Sequence, residues 1–198
     1  MRRAILLCMM LLFAATANAA NDATLKAGVF SPPRKAPDFS LGGSDGSELN
    51  LSRYRGKIVV LAFGFTSCVD VCPVTLAVLA QARKKLGAAG KDVQIVYVTV
   101  DPERDDAKRM REYLTAFDAT FVGATGTAKQ LAPVYKEYGI IANKVASKNA
   151  KKPSADSYSI AHSSYTYLID RDGVLRALMP YGHDADDYVH DFRILLKS

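Results

Sequence analysis

The chain has 198 residues, of which 49% are hydrophobic and 23% are charged, and its formal net charge is +6. This length predicts one globular domain, and the balanced composition disfavours global disorder. No apolar run approaches the roughly 18 residues of a membrane-spanning helix, which excludes a polytopic membrane protein.

The first 19 residues have the three parts of a secretory signal peptide. Arg2 and Arg3 form a positively charged start, residues 4–15 are almost wholly apolar, and residues 17–19 fit the small-x-small pattern of a cleavage site. We therefore expect export to the periplasm with cleavage after residue 19, and a membrane anchor only if the segment stays uncleaved. Loss of the two arginines lowers the net charge to +4, which gives no indication of a nucleic-acid partner.

The rest of the chain alternates between strand-length apolar runs and amphipathic helical segments. Residues 20–35 are polar and contain two adjacent prolines, which predicts a flexible lead-in. Residues 36–51 predict a small hairpin, and residues 144–157, with four lysines, predict an exposed loop. The further predicted strands are 58–63, 93–100, 120–122, 164–169 and 174–178, and the predicted helices are 70–87, 105–117, 127–139 and 184–196.

This order of elements predicts an α/β domain over residues 36–198. Its central mixed sheet is flanked by helices and carries an N-terminal β-hairpin. A terminal hairpin over residues 164–178, followed by a closing helix, is what a thioredoxin-like fold requires.

Cleavage of the signal peptide also removes Cys8 and leaves Cys68 and Cys72 as the cysteines of the mature chain. Both lie where a predicted strand passes into a predicted helix, with Asp70 as a candidate N-cap and Pro73 in the first turn. Backbone N–H groups and the helix dipole favour a thiolate there. The three-residue spacing lets the sulfurs open around one metal ion or close to disulfide length. Thiolates select copper or zinc over hard cations.

Two sulfurs alone are a poor structural zinc site, whereas a third ligand would suit copper. The chain offers three histidines. His162 follows the lysine-rich segment and precedes a predicted strand, so it is the candidate third ligand, and the alternative is a hydrogen-bonded histidine at a strand start. His183 and His190 lie beside or within the acidic last helix, on faces that are predicted to be solvated.

Three motifs resemble those of the Sco/SenC copper proteins. Residues 64–73, GFTSCVDVCP, resemble the cysteine motif of that family, and residues 98–105, VTVDPERD, resemble its second block. The context of His162 and Ser163 resembles the third. The motifs occur in the family order, and the resemblance extends over residues 36–196.

The resemblance implies a thioredoxin-like fold that binds one copper ion, Cu(I) or Cu(II), through Cys68, Cys72 and His162. Family members help to assemble the binuclear copper centre of cytochrome c oxidase, by delivering copper or by keeping the cysteines of that centre reduced. The implied protein is a monomeric periplasmic metallochaperone, whose partner is the copper-receiving subunit of the oxidase or another periplasmic copper protein. Ser67, where histidine is common, and Val69, where proline is common, depart from the family pattern. Neither is an implied ligand, so we expect them to change redox poise or partner docking and not copper binding.

Other functions compete for the same residues. Cys68 and Cys72 also suit a thiol–disulfide oxidoreductase, in which they form a catalytic redox pair without metal. Such a reductase has no need of His162, which distinguishes the two hypotheses. A peroxiredoxin-like peroxidase, indicated by residues 36–39, is disfavoured because the residues that its nucleophile requires do not precede either cysteine. The Asp101–Pro102 pair at the end of a predicted strand is typical of a turn. The alternative is that Asp101 has a role in docking or beside the metal ligands.

Overall fold

We describe the protein from a computed structural model, which covers residues 24–146 and 158–198. The predicted signal peptide, residues 1–19, and residues 147–157 of the predicted lysine-rich loop lie outside the described residues. Within the described ranges, no helix combines the length and the apolar character that a membrane crossing requires.

A mixed sheet forms the centre of the domain. The strands of the described residues are β1 Gly28–Lys35, β2 Leu41–Gly43, β3 Glu48–Leu49, β4 Ile58–Gly64, β5 Val93–Thr99, β6 Val122–Thr125, β7 Ala142–Ala146, β8 Tyr158–His162, β9 Tyr165–Ile169 and β10 Val174–Pro180. Eight of these described strands form one sheet in the order β1-β10-β9-β4-β5-β6-β2-β3. The β4, β5 and β6 strands run parallel, and the other neighbours are antiparallel.

The two central strands, β4 and β5, are the continuous apolar runs of the sequence. Every residue of both strands is buried, as expected for strands that are covered on both faces. They pair in parallel from Ile58 opposite Val93 to Gly64 opposite Thr99. Their carboxyl ends therefore meet at one edge of the sheet, where the loops with the cysteines and with the second motif both begin.

Four helices of the described residues flank the sheet: α1 Val71–Lys85, α2 Ala107–Thr115, α3 Ala128–Tyr138 and α4 Ala185–Leu195. The helix α1 packs against α4, and α2 packs against β6. At the start of α3, Thr127 and Gln130 form a reciprocal capping box, and Gly139, with φ of 64°, ends the helix. The predicted α/β fold, with a central mixed sheet, flanking helices and the β2–β3 hairpin, is confirmed.

The segment predicted as a lead-in differs from the expectation, because Gly28–Lys35 form the edge strand β1 paired with β10. Its register shifts between Val29 and Arg34, and both prolines lie in this interval. Neither proline therefore has to supply an N–H group to the ladder. The strand is almost wholly exposed, so the sequence lacks the apolar alternation that predicts a strand.

A second difference concerns residues 144–146, the described part of the segment 144–157 that the sequence predicts to be a loop. The β7 and β8 strands form an antiparallel ribbon apart from the main sheet, with Ala142 opposite His162. Among the residues of the ribbon, Ile160 is buried and the others are exposed or half-buried. Backbone pairing between the two strands requires no apolar face, so the sequence of the ribbon shows little strand pattern. His162 is the last residue of this ribbon.

The strand β6 lies later than the predicted residues 120–122. Its second residue, Gly123, faces α2, where an added Cβ would lie 2.8 Å from the Met110 Cε atom and 3.1 Å from a methyl group of Leu114. The helix therefore packs directly on a strand of small residues. Small residues carry little strand propensity, so the sequence gives a weak signal for the bounds of this strand.

Candidate metal centre

The loop from β4 into α1 is held by the buried carboxylate of Asp105. This carboxylate accepts hydrogen bonds from the Thr66 N–H group (3.0 Å), the Thr66 hydroxyl (2.6 Å) and the Thr99 hydroxyl (2.7 Å). Burial raises the pKa of Asp105, although these donors favour its ionised form. On the solvent side, Arg109 donates to the hydroxyls of Thr66 (2.7 Å) and Ser67 (2.9 Å). The loop is therefore fixed before it reaches the first cysteine.

The two cysteines are free thiols at the start of α1. Cys72 is the second residue of the helix and is buried, whereas Cys68 precedes the helix and is half-buried. Asp70 occupies the predicted N-cap position, but its side chain makes no capping hydrogen bond. The backbone N–H groups of Asp70 and Cys72 instead help to lower the pKa of Cys68. The start of the helix therefore favours a negative charge on this sulfur.

The two thiols differ in their acidity. The hydrogen bond from the Cys72 thiol, together with the N–H groups of the helix start, holds the pKa of Cys68 well below its ordinary value, although partial burial opposes this shift. The pKa of Cys72 is raised because Cys72 is the donor in this pair and because it is buried. These two shifts favour the thiolate on Cys68, the more exposed sulfur, over the thiolate on Cys72.

His162 completes a cluster of three donor side chains. Its Nδ1–H group donates to the carbonyl oxygen of Ser163 (2.9 Å), and because a carbonyl group only accepts, the ring proton lies on Nδ1. The other ring nitrogen, Nε2, lies 3.5 Å from the Cys72 sulfur. The ligand atoms of Cys68, Cys72 and His162 all lie within 4.8 Å of one another. The fold thus brings together the three residues that the sequence predicts as metal ligands.

The ribbon that carries His162 is tied to the main sheet by Asp101. Its buried carboxylate accepts hydrogen bonds from the Tyr158 hydroxyl (2.7 Å) and from the Arg104 guanidinium group. The same guanidinium group lies 3.9 Å from the centre of the Tyr158 ring and donates to the Tyr158 carbonyl (3.2 Å). Phe65 then contacts the His162 ring edge to face, with ring centres 5.8 Å apart. Asp101 is therefore more than a turn residue, since it positions the first residue of β8.

Nothing in the sequence marks Arg104 or Tyr158 as functional residues. Arg104 belongs to the second motif, and Tyr158 stands four positions before His162. The sequence gives no sign that they meet, because their contact depends on how the β7–β8 ribbon lies against the end of β5.

The other predicted residues lie away from the cluster or at its surface. The Nδ1 atoms of His183 and His190 lie 2.9 Å from carboxylate oxygens of Asp187 and Asp191, and the structure does not bring either ring to the cysteines. The side chain of Val69 is 96% exposed. The loop between the cysteines therefore presents an apolar side chain to solvent beside the more accessible sulfur.

Residues 30–197 match the sequence model of the SCO1/SenC family. The chain belongs to the SCO1/SenC family. A SCO2-like protein of Rickettsia prowazekii is 35% identical over 135 residues, which are 68% of this chain and 64% of that relative. The chain thus spans less than two thirds of the length of that relative. The family predicted from the three motifs is confirmed.

Solved Sco structures are similar to this chain along most of its length. Apo Sco1 of Thermus thermophilus is 32% identical with a TM-score of 0.75, and the match covers 87% of this chain and 98% of that one. Copper-bound ScoI of Arabidopsis thaliana is 29% identical with a TM-score of 0.73, and the match covers 82% of this chain and 98% of that one. These similarities confirm the predicted thioredoxin-like fold.

Proposed function

We propose that this Sco protein is a copper metallochaperone that serves assembly of the copper centre of cytochrome c oxidase. The observation that supports this proposal is the Cys68–Cys72–His162 cluster, whose ligand atoms lie within 4.8 Å of one another. The Sco family is described as a family of cytochrome c oxidase assembly proteins, and copper-bound members are among the similar structures.

The three donor groups fit a copper ion. Cys68 already favours the thiolate form, and His162 places its Nε2 atom 3.5 Å from the Cys72 sulfur. Two thiolates hold Cu(I), and the imidazole adds affinity for Cu(II). Because Cys72 is held as a thiol, copper binding has to release its proton.

Copper is the cargo of the protein in this proposal, so the site has to release it again. Three protein ligands leave a coordination position open for the thiolate of a receiving protein. Cys68 is the more accessible of the two sulfurs, and the exposed Val69 lies beside it. Ligand exchange therefore begins on this side of the site.

The setting of this function is also part of the proposal. The predicted signal peptide supports a periplasmic location, with anchoring only if that segment is retained. The receiving partner is the copper-binding subunit of the oxidase or another periplasmic copper protein, and the chaperone acts as a monomer.

A thiol–disulfide oxidoreductase is the second candidate, and the difference between the two thiols favours it. The Cys68 thiolate would attack one sulfur of a substrate disulfide and release the other as a thiolate. The Cys72 sulfur, after losing its proton, would attack Cys68 and release the second substrate thiolate. Two electrons pass to the substrate, and a Cys68–Cys72 disulfide remains.

Substitution of His162 distinguishes these functions. In His162→Ala, we expect Cu(II) affinity to fall by more than about tenfold, since loss of a ligand costs at least as much as loss of a group that orients one. The sulfur-to-Cu(II) charge-transfer band should weaken or shift, while a Cys68–Cys72 disulfide still forms. Competition with a copper chelator measures the Cu(II) affinity, visible spectroscopy measures the charge-transfer band, and thiol titration measures disulfide formation.

His183→Ala is the matched control, because it removes an imidazole outside the cluster and should leave copper binding unchanged. Equal copper affinity in His162→Ala and His183→Ala would refute the three-ligand site. A protein that reduces a disulfide substrate equally well with and without His162, and that shows no charge-transfer band, would be the oxidoreductase.

A further inference from the structure

Tyr97, in the central strand β5, carries a buried hydroxyl group next to the cysteine pair. The residue is 1% exposed, and its hydroxyl completes no hydrogen bond within the described residues. A buried polar group without a partner is destabilising, and native proteins retain few of them. Phenylalanine would fill the same space without this cost, so the hydroxyl calls for a functional explanation.

The hydroxyl and the Cys72 sulfur approach the same face of Gly64, the last residue of β4. A Cβ atom at Gly64 would lie 2.0 Å from the Tyr97 hydroxyl oxygen and 2.9 Å from the Cys72 sulfur. The missing side chain therefore leaves a space that both atoms border. Tyr97 and Cys72 also line one small cavity together with His162, so the hydroxyl belongs to the inner wall of the candidate metal centre.

The Cys72 sulfur changes its hydrogen-bonding character when it binds a metal. A thiol sulfur accepts hydrogen bonds weakly, whereas a thiolate is a charged acceptor that forms shorter and stronger ones. We propose that the Tyr97 hydroxyl donates a hydrogen bond to the Cys72 sulfur when this sulfur is a copper-bound thiolate. Tyr97 is then a positioning residue, which acts on copper through Cys72, and this inference rests on the proposed copper-binding function.

This hydrogen bond has a spectroscopic consequence. A donor at the sulfur withdraws electron density from it, and such outer groups tune the ligand and hence the metal. The energy needed to move an electron from this sulfur to Cu(II) is therefore higher with the hydroxyl than without it. A purely structural role of Tyr97 would not move this absorption band.

The test compares Tyr97→Phe with Tyr54→Phe. The Tyr54 hydroxyl is also buried without a partner among the described residues, but it precedes β4, at the end of that strand opposite to the cysteines. In Tyr97→Phe, we expect the sulfur-to-Cu(II) band to move to longer wavelength and Cu(I) affinity to fall roughly tenfold, the effect of one hydrogen bond to a charged group. The melting temperature of the reduced, copper-free protein should not fall. Tyr54→Phe should leave the band and the affinity unchanged.

A copper-free measurement separates failure of this inference from failure of the proposed function. Zn(II) is also held by thiolates, so it is added to the reduced pair in place of copper, and its affinity should be roughly tenfold lower in Tyr97→Phe than in Tyr54→Phe. If the unaltered protein binds no copper, the proposed function fails, and the Zn(II) affinities alone decide whether Tyr97 acts on the Cys72 thiolate. If Tyr97→Phe matches Tyr54→Phe in the band, the Cu(I) affinity and the Zn(II) affinity, or if the unaltered protein binds neither metal, the inference is wrong.

Discussion

At the scale of single residues, the start of α1 makes two identical side chains chemically different. Cys68 accepts hydrogen bonds from the Cys72 thiol and from backbone N–H groups, so its pKa is lowered. The Cys72 thiol is the donor in that hydrogen bond and is buried, so its pKa is raised. We therefore expect Cys68 to be the sulfur that reacts first, with copper or with a disulfide in the proposed functions, and Cys72 to follow.

This difference predicts how alkylation of the reduced protein depends on pH. A thiol with the ordinary pKa of about 8.5 reacts about tenfold more slowly for each pH unit below that value. Because the pKa of Cys68 is lowered, its thiolate persists below that range, and its rate with iodoacetamide should stay nearly constant from about pH 8 to pH 6. Mass spectrometry of the modified peptide measures the rate at each pH.

Cys72→Ala provides the control for this experiment. It removes the thiol that donates to Cys68, so the pKa of Cys68 should rise and its alkylation should slow on going from pH 8 to pH 6. Identical pH profiles in the two proteins would contradict the assignment of the charge to Cys68.

At the scale of elements, the strands and helices that bury much apolar surface are the ones that the sequence predicts. The strands β4 and β5, which are buried throughout, and helix α3, with its capping box, are all predicted. The exposed edge strand β1 and the β7–β8 ribbon are not. Backbone pairing holds these exposed strands, and any sequence of suitable length can supply it, so no apolar pattern marks them.

The buried ion pair that ties β8 to the sheet gives a prediction about stability. Asp101 and Arg104 expose 1% and 9% of their side chains, so Asp101→Asn leaves a guanidinium group without its counter-charge. We expect the free energy of unfolding to fall by about 3–5 kcal/mol, as measured by urea denaturation.

Glu112→Gln is the matched control for this ion pair, because it also removes one carboxylate from a pair. The Lys108–Glu112 pair is exposed, with 4.0 Å between its charged atoms, so this change should alter stability by no more than about 0.5 kcal/mol. Similar losses in the two variants would show that Asp101 does not hold a buried charge in place.

At the scale of the whole molecule, the candidate metal centre joins two parts of the fold at the His162 end of the ribbon, whereas Asp101 and Arg104 hold its Tyr158 end. The cysteines belong to the main sheet and its first helix, whereas His162 belongs to the separate β7–β8 ribbon. A ligand that binds both parts stabilises the arrangement in which they meet. Copper binding should therefore tighten the ribbon more than the rest of the domain.

Amide hydrogen exchange measures this tightening. With Cu(I) at about 100 times its dissociation constant, exchange in Ala142–Ala146 and Tyr158–His162 should slow by up to about 100-fold. The strand β10, away from the site, should change little. In His162→Ala, the ribbon should gain no protection even if the cysteines still bind copper. Equal slowing of the ribbon and of β10 would show that copper stabilises the domain as a whole and does not bridge its two parts.

Buried strands and helix caps are local patterns, so the α/β class can be read from the sequence. Its three motifs indicate the family, and the resemblance implies the three candidate ligands. The orientation of those ligands depends on contacts that arise only in the folded chain. Asp105 fixes the cysteine loop, Asp101 fixes the ribbon, and Tyr97 faces Cys72 over Gly64. Each of these contacts joins segments that are distant in the chain, and the parallel pairing of β4 with β5 brings them to one edge of the sheet.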